Sequence, residues 1–203
     1  MKSCVITGGV GCGKSIFCAS LRVHLEMKVT YFSADECAKT ASESPVIFEE
    51  LVNLFGEVCC EMIEGRLRIN KSYVRKIIFR DAEMRKKLES VLHPVVLDCL
   101  QDQQILAREA ECELFLAEVP LHYEVNSTVE ADLIIVVASS RTMQIRRLME
   151  HRGLDNATIE NILKSQWPIE AKVEKSDVVI WNDGDLSALE AQMLTLARQF
   201  SLA

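Results

Sequence analysis

The sequence predicts an α/β fold built on a doubly wound parallel sheet of about five strands. Two observations lead to this prediction. A glycine-rich segment, Gly8–Ser15, lies between a short apolar run and a helical pattern near the start of the chain. Further along, short apolar runs alternate with helical patterns, which is typical of parallel strands connected by helices.

The glycine-rich segment has the sequence GGVGCGKS and fits the phosphate-binding loop pattern G-x-x-x-x-G-K-[ST]. Glycines let successive backbone N–H groups point into one concavity, and the following helix N-terminus adds partial positive charge. Lys14 adds a full positive charge, and the Ser15 hydroxyl suits a magnesium ion that bridges two phosphates. We therefore predict a nucleotide-binding fold of the P-loop nucleoside-triphosphate-hydrolase-like class.

The predicted strands are apolar runs of the kind found in buried parallel strands. In chain order they are Cys4–Thr7, Val29–Ser33, Glu113–Val119, Leu133–Ala138 and Val178–Trp181. The helices outside the central part of the chain are predicted over Ser15–Met27, Ser140–Arg152, Asp155–Gln166 and Leu186–Phe200. Gly153 joins the second and third of these, and a short helical pair of this kind is expected to form a lid over the phosphates.

The segment between the second and third predicted strands is too long for one helical crossover. It contains helical patterns after Ser44-Pro45, after Asn70 and from Asp81 to Ala110. We expect Pro94 to break or kink the last pattern, so that two helices meet at His93-Pro94. We predict one domain over residues 1–203, with a core of residues 1–35, 113–140 and 176–203, an inserted helical substrate subdomain of residues 36–112, and a lid of residues 141–175.

Composition and charge restrict the class of partner. A chain of 203 residues with 49% hydrophobic and 26% charged residues is ordinary for a globular protein. The formal net charge of −7 argues against broad nucleic-acid binding, so we expect no nucleic-acid partner. No apolar run approaches the length of a membrane span and no signal peptide is evident, so we expect a cytoplasmic protein with no membrane partner.

Taken alone, these residues indicate a small P-loop kinase or phosphatase. Further segments make the chain resemble the dephospho-CoA kinase family over nearly its whole length. Besides the loop, they are Ala34-Asp35, Leu54-Phe55-Gly56, His93-Pro94, Val119–Glu124, Gln144 with Arg147-Leu148, Gln166–Lys172 and Ser176–Gly184. The resemblance implies transfer of the ATP γ-phosphoryl group to the ribose 3′-hydroxyl of dephospho-CoA, the last step of coenzyme A synthesis, with ATP and Mg²⁺ as cofactors.

The resemblance also implies roles for individual residues. The nucleotide-binding set is Gly9, Val10, Gly11, Cys12, Gly13, Lys14, Ser15 and Asn182, with Asn182 near the adenine. The catalytic set is Lys14, Asp35, Arg147 and Arg152, and the metal set is Ser15 and Glu118. The acceptor set is Asp35, His93, Pro120, Tyr123 and Glu124.

Three of these residues have a structural alternative. Asn182 is also suited to an ordinary turn at the end of a strand. Arg152 also suits a solvated helix face. His93 precedes a proline, and we slightly favour a hydrogen bond to a backbone carbonyl over contact with the substrate.

The chain departs from the family pattern at three positions. The family has Asp-Ala-Asp after its second strand, and its first aspartate is the expected base; here the segment is Ser33-Ala34-Asp35. His151 stands where the family has a lid arginine, and Lys71 stands for another arginine. Three hypotheses therefore remain open, namely a dephospho-CoA kinase, a catalytically weak nucleotide-binding homologue, and a P-loop kinase for another nucleoside or nucleotide.

Overall fold

The structure is a computed structural model that describes residues 1–127 and 129–201. The predicted core segment 176–203 therefore ends in two residues that lie outside the described ones. In chain order the elements are β1 (Lys2–Gly8), α1 (Lys14–Val23), β2 (Val29–Ser33), α2 (Ala34–Ala41), α3 (Pro45–Phe55), β3 (Cys60–Ile63), β4 (Arg66–Ile69), α4 (Lys71–Ile78), α5 (Ala82–Glu109), β5 (Leu114–Glu118), β6 (Leu133–Ala138), α6 (Arg141–Arg152), α7 (Asn156–Lys164), α8 (Ile169–Glu174), β7 (Val178–Trp181) and α9 (Leu186–Ser201).

The five strands predicted from apolar runs form one parallel sheet in the order β2-β5-β1-β6-β7. This confirms the predicted α/β fold class. β1 lies at the centre, and β5 beside it is buried along its whole length. Burial on both faces explains why the inner strands β5 and β6 are almost continuously apolar, whereas the edge strands β2 and β7 are partly exposed. The phosphate-binding loop follows the carboxyl end of β1, the edge at which open α/β sheets bind their ligands.

Helices α1 and α9 pack together against the sheet. Phe17 and Leu21 of α1 and Met193 of α9 are fully buried in the same apolar core as Ile6 of β1. The prediction that α1 extends to Met27 is wrong, because the helix ends at Val23. The chain turns there to return to the sheet at β2, and Leu25 enters the core within that turn.

The described chain divides into two compact units. The first contains residues 1–33 and continues from residue 102, and the second comprises Ala34–Gln101. The second unit has its own apolar core around Ile47, Leu51 and Phe55 of α3. It is not purely helical, because β3 and β4 form an antiparallel hairpin that was not predicted. Glu64 and Gly65 at its tip have φ values of 50° and 74°, as the tightest hairpin turns require.

Helix α5 continues without a break through Pro94, so the predicted junction of two helices at His93-Pro94 is wrong. Proline removes one backbone N–H from the helix, and the carbonyl that loses its partner belongs to Ser90. Pro94 and Ser90 are both exposed, so water can replace the lost donor. Val91 and Val95 pack against the core of the second unit on either side of the proline, and this packing favours a continuous helix.

Candidate active site

The phosphate-binding loop is preformed around its lysine. Lys14 is the first residue of α1 and is only 9% exposed. Its Nζ donates hydrogen bonds to the backbone oxygens of Gly8 at 3.2 Å and Gly9 at 2.7 Å. The backbone N–H of Val10 binds the side-chain oxygen of Gln166 at 2.9 Å. The ammonium group therefore lies inside the concavity in which the sequence predicts phosphates.

Asn182 closes the loop from the end of β7. Its Nδ2 donates to the backbone oxygen of Cys12 at 2.9 Å, and its side chain is buried. Its own backbone oxygen accepts hydrogen bonds from the Ser139 hydroxyl at 2.8 Å and from Arg147 at 2.9 Å. Asn182 thus holds the loop in place, while its predicted proximity to adenine stays a prediction.

Arg147 reaches the loop from α6. Its Nη1 lies 3.3 Å from the backbone oxygen of Gly11 and 3.0 Å from the Ser139 hydroxyl. The guanidinium group is half-buried, so its charge is screened less than that of a surface arginine. His151 and Arg152 lie in the exposed last turn of the same helix. The structure therefore brings Arg147, but not Arg152, to the phosphate-binding loop.

A buried carboxylate joins the loop to the sheet. Glu118, the last residue of β5, is 4% exposed, and its Oε1 accepts a hydrogen bond from the Ser15 hydroxyl at 2.9 Å. Its Oε2 accepts a hydrogen bond from the Tyr31 hydroxyl at 2.5 Å. The Ser15 hydroxyl and the Glu118 carboxylate offer hard oxygen ligands of the type that Mg²⁺ prefers. The pair therefore fits the metal predicted from the sequence.

Tyr31 was not among the site residues predicted from the sequence. Strand alternation provides a signal that could have found it, because Tyr31 and Ser33 lie on the same face of β2. β2 pairs with β5 in a register that sets Ser33 opposite Glu118. An acidic residue at the end of one strand and hydroxyl groups on the neighbouring strand are therefore expected to meet.

A second charged pair lies under the loop that follows β5. Lys172 of α8 is completely buried, and its Nζ is 2.7 Å from Glu124 Oε1. The same Nζ donates to the backbone oxygens of Pro120 at 3.1 Å and Gly8 at 3.4 Å. The backbone N–H of Trp167 also donates to Glu124 Oε1 at 2.9 Å. One oxygen of Glu124 is thus used within the protein, and its predicted contact with the acceptor stays a prediction.

Aromatic rings surround this pair. The Tyr123 and Trp167 rings stack with centroids 5.6 Å apart, and His122 meets Tyr123 edge-on at 5.1 Å. Within the described residues, Glu124 Oε2, Tyr123 Oη and His122 Nδ1 are buried and have no hydrogen-bond partner. Such atoms normally have partners, so they mark a place where a ligand or water can complete the site.

Comparison with known proteins decides the family. A sequence model of dephospho-CoA kinase matches residues 3–188. The chain belongs to the dephospho-CoA kinase family. It is therefore a kinase that uses ATP, and the family supports ATP-dependent phosphorylation of dephospho-CoA to CoA as its reaction.

Individual relatives agree with this family. The chain is 31% identical to the dephospho-CoA kinase of Syntrophotalea carbinolica, with 94% of this chain and 88% of the relative covered. It is 32% identical to the dephospho-CoA kinase of Chlorobaculum tepidum, with 93% and 89% covered. Each alignment spans nearly the whole chain, so the likeness is not confined to the phosphate-binding loop.

Solved structures agree in fold. TT1252 from Thermus thermophilus has a TM-score of 0.71 at 31% identity and covers 97% of both chains. The dephospho-CoA kinase from Campylobacter jejuni has a TM-score of 0.63 at 24% identity, with 100% of this chain and 98% of that chain covered. A shikimate kinase from Acinetobacter baumannii, at 14% identity and a TM-score of 0.51, shares the fold alone.

Two residues of the predicted acceptor set lie in the second unit. Asp35 is exposed in the first turn of α2. His93 is half-buried inside α5, and burial lowers its pKa while the charge of Glu89 opposes this shift. Asp35 lines a cavity of this unit together with Lys39, Lys71 and Arg75. Glu36 lines it as well, so the cavity combines two carboxylates with three cationic side chains, and Lys39 Nζ lies 3.4 Å from Glu36 Oε2.

The loop cysteine is shielded. Cys12 is completely buried, and burial raises the pKa of its thiol although the charge of Lys14 acts in the opposite direction. The thiolate is the reactive form of cysteine, so a buried thiol with a raised pKa is a poor nucleophile. Cys12 is therefore a buried packing residue of the phosphate-binding loop.

Gly13→Ala is expected to weaken binding of a non-hydrolysable ATP analogue by about tenfold or more. A tenfold change corresponds to roughly 1.4 kcal/mol of binding free energy. Gly13 has a φ of 87°, and an added Cβ would lie 2.5 Å from Asn182 Nδ2. The amide that holds Cys12 would have to move. Titration calorimetry measures the affinity.

Gly65→Ala is the matched control for this substitution. Gly65 also has a left-handed φ, 74°, but an added Cβ meets nothing within 4 Å. The control carries a similar backbone cost of roughly 1–2 kcal/mol for a left-handed L-residue, and we expect it to leave analogue affinity unchanged. Equal affinities for Gly13→Ala and the wild type would contradict the role of the Asn182 contact.

Proposed function

We propose that this member of the dephospho-CoA kinase family transfers the γ-phosphoryl group of ATP to the ribose 3′-hydroxyl of dephospho-CoA, with Mg²⁺ held at Ser15 and Glu118. One observation carries the proposal. Lys14, Arg147 and the Ser15–Glu118 pair all lie on or against one loop at the end of the central strand. This combination of two cations and hard oxygen donors suits a triphosphate and its metal.

The chemistry depends mainly on charge and position. Phosphoryl transfer passes through a loose transition state in which charge spreads over the equatorial oxygens of the moving group. Lys14 and Arg147 neutralise that charge from fixed positions, which costs little reorganisation during the reaction. Bound Mg²⁺ would supply further charge neutralisation on the phosphate oxygens. Arg152 on the predicted lid is proposed to approach the phosphates only when nucleotide is bound.

The acceptor is proposed to use residues of the second unit. Dephospho-CoA carries a diphosphate, and Lys39, Lys71 and Arg75 line the same cavity as Asp35. Burial lowers the pKa of Lys71 and the nearby charge of Lys39 lowers it further, while the carboxylates of Glu43 and Glu36 oppose the shift. We propose that Asp35 accepts the proton of the 3′-hydroxyl, because Ser33 cannot act as a carboxylate base at neutral pH.

A second candidate is a catalytically weak nucleotide-binding homologue. Ser33 in place of the family aspartate and His151 in place of the lid arginine favour this candidate. General-base assistance is typically worth about a hundredfold to ten-thousandfold, so its loss slows transfer without preventing ATP binding. The two candidates differ in turnover rather than in nucleotide affinity.

Ser33→Asp is expected to raise the rate of transfer to dephospho-CoA by about tenfold or more, which corresponds to roughly 1.4 kcal/mol of barrier lowering. The substitution restores a carboxylate at the carboxyl end of β2, where the family has one. Asp35→Asn is expected to slow the wild type strongly if Asp35 acts as the base. Single-turnover kinetics measure both rates.

The outcomes of these two substitutions separate the candidates. A fast wild type that Ser33→Asp slows would show that Ser33 is part of a working site and would exclude the weak homologue. A barely detectable rate that neither substitution changes would favour the weak homologue. Thr195→Asp, on the exposed surface of α9, is the control for an added carboxylate.

An acceptor panel tests the proposed reaction. ADP release is measured with ATP and Mg²⁺ in the presence of dephospho-CoA, adenosine, other nucleosides, or no acceptor. We expect dephospho-CoA to give the highest kcat/KM. Higher kcat/KM with another nucleoside would favour the third hypothesis, a kinase with a different acceptor.

The location of the protein is a proposal based on its family. Along the described residues, no helix has the length and apolar character needed to cross a membrane. We propose a cytoplasmic location, as expected for an enzyme whose substrates are ATP and dephospho-CoA. The absence of a nucleic-acid partner stays a prediction from the net charge of −7.

A further inference from the structure

Each oxygen of the Glu118 carboxylate has its own hydroxyl partner. Ser15 Oγ donates to Oε1 at 2.9 Å, and Tyr31 Oη donates to Oε2 at 2.5 Å. Ser15 belongs to the phosphate-binding loop, whereas Tyr31 belongs to β2. The carboxylate is therefore held between the loop and the neighbouring strand, and its orientation depends on both hydroxyl groups.

Tyr31 is itself held firmly. β2 pairs with β5 so that Tyr31 lies opposite Leu116, two residues before Glu118. The guanidinium carbon of Arg22 lies 4.2 Å from the centre of the Tyr31 ring, a cation–π arrangement. The Tyr31 side chain is partly buried, and its hydroxyl lies 2.5 Å from Glu118 Oε2. The tyrosine thus presents a fixed O–H donor to Glu118.

The geometry points to Tyr31 as a positioning residue of the metal site, which holds Glu118 in the orientation that directs the Ser15 hydroxyl. When the Ser15 hydroxyl donates a hydrogen bond to Glu118, its lone pairs point away from the carboxylate. These lone pairs can then coordinate a cation. Loss of the Tyr31 hydroxyl leaves Glu118 Oε2 buried without this donor and frees the side chain to rotate. This inference rests on the proposed function in one respect, namely that Ser15 and Glu118 form the metal site.

Tyr31→Phe tests the inference through metal binding. Electron paramagnetic resonance measures free Mn²⁺ in the presence of a non-hydrolysable ATP analogue. We expect the dissociation constant for Mn²⁺ to rise about tenfold, the effect typical for loss of a residue that orients a metal ligand. We expect affinity for the analogue in EDTA to stay unchanged, because Tyr31 does not contact the loop backbone in any described hydrogen bond.

Tyr73→Phe is the matched control, since it removes a hydroxyl from the partly buried tyrosine of α4. It is expected to bind Mn²⁺ like the wild type. In a Glu118→Gln background, Tyr31→Phe is expected to change Mn²⁺ affinity less than twofold, because its effect acts through Glu118. Circular dichroism confirms that each variant is folded.

Three results would overturn the inference. The first is unchanged Mn²⁺ affinity in Tyr31→Phe. The second is an equal loss of analogue affinity in EDTA, which would indicate general damage to the site. The third is a full additive effect in the Glu118→Gln background. A protein that fails to make CoA would contradict the proposed function but leave these binding results interpretable.

Discussion

Lys14→Ala is expected to lower phosphoryl transfer by about a hundredfold to a thousandfold, the usual cost of removing one group that stabilises developing charge. The ammonium group lies inside the loop, where it binds the backbone oxygens of Gly8 and Gly9. Its charge is therefore already in place before nucleotide arrives. Substitution removes that charge from a site that must accommodate several phosphate oxygens.

The fold is expected to survive this substitution. Lys14 lies at the N-terminus of α1, and the apolar residues Phe17 and Leu21 anchor that helix to the core. Circular dichroism and ADP release are measured on the same sample, with Lys87→Ala on the exposed surface of α5 as the control. A folded Lys14→Ala variant with unchanged turnover would contradict the assignment of this loop to catalysis.

Lys172→Met is expected to destabilise the protein by about 3–5 kcal/mol, the cost of removing one partner of a buried ion pair. Lys172 is completely buried, and it bridges Glu124, Pro120 and the Gly8 backbone oxygen. Its removal leaves the mostly buried Glu124 carboxylate without its cation. A loss of this size corresponds to a fall in Tm of roughly 10 °C for a chain of this length.

A double variant separates the ion pair from simple loss of packing. Lys172→Met combined with Glu124→Leu removes both charges, and we expect it to be more stable than Lys172→Met alone. Urea denaturation measures the free energy of unfolding, and Lys164→Met on the exposed end of α7 is the control. A change below about 1 kcal/mol in Lys172→Met, the range of a surface ion pair, would contradict a structural role for the pair.

The strands of the sheet could be predicted from the sequence because each is marked by the residue types within its own short segment. Three predicted strands, Val29–Ser33, Leu133–Ala138 and Val178–Trp181, have the bounds found in the structure. Leu133–Ala138 is apolar at every position, which is typical of an inner parallel strand. Val29–Ser33 and Val178–Trp181 lie at the edges of the sheet and are partly exposed, but both are short runs rich in β-branched and aromatic residues, which a sequence displays without knowledge of the partner strands. The glycine-rich loop is equally local, since its pattern is contained within one short segment.

The errors concern features whose cause lies elsewhere in the fold. The hairpin formed by β3 and β4 depends on pairing between strands that are short and largely exposed. Pro94 does not end α5, because packing of the flanking residues outweighs the local preference of proline. In both cases tertiary contacts, which the sequence does not display, determine the outcome.

The candidate site was predicted in part. Its glycines, Lys14 and Ser15 belong to one motif, and Glu118 was found because it ends a strand. Tyr31 and Lys172 acquire their roles only when β2 and α8 are brought beside residues distant in sequence. Strand alternation sets Tyr31 and Ser33 on one face of β2, but only the pairing of β2 with β5 shows that this face meets Glu118.

The most direct test of the proposed reaction is the position of the new phosphate in the product. The wild-type chain is incubated with ATP, Mg²⁺ and dephospho-CoA, and the purified product is examined by mass spectrometry and phosphorus NMR. We predict one added phosphoryl group on the ribose 3′-oxygen, which gives CoA, together with one ADP for each CoA formed. ADP formation without CoA, or a phosphoryl group at any other oxygen, would contradict the proposal.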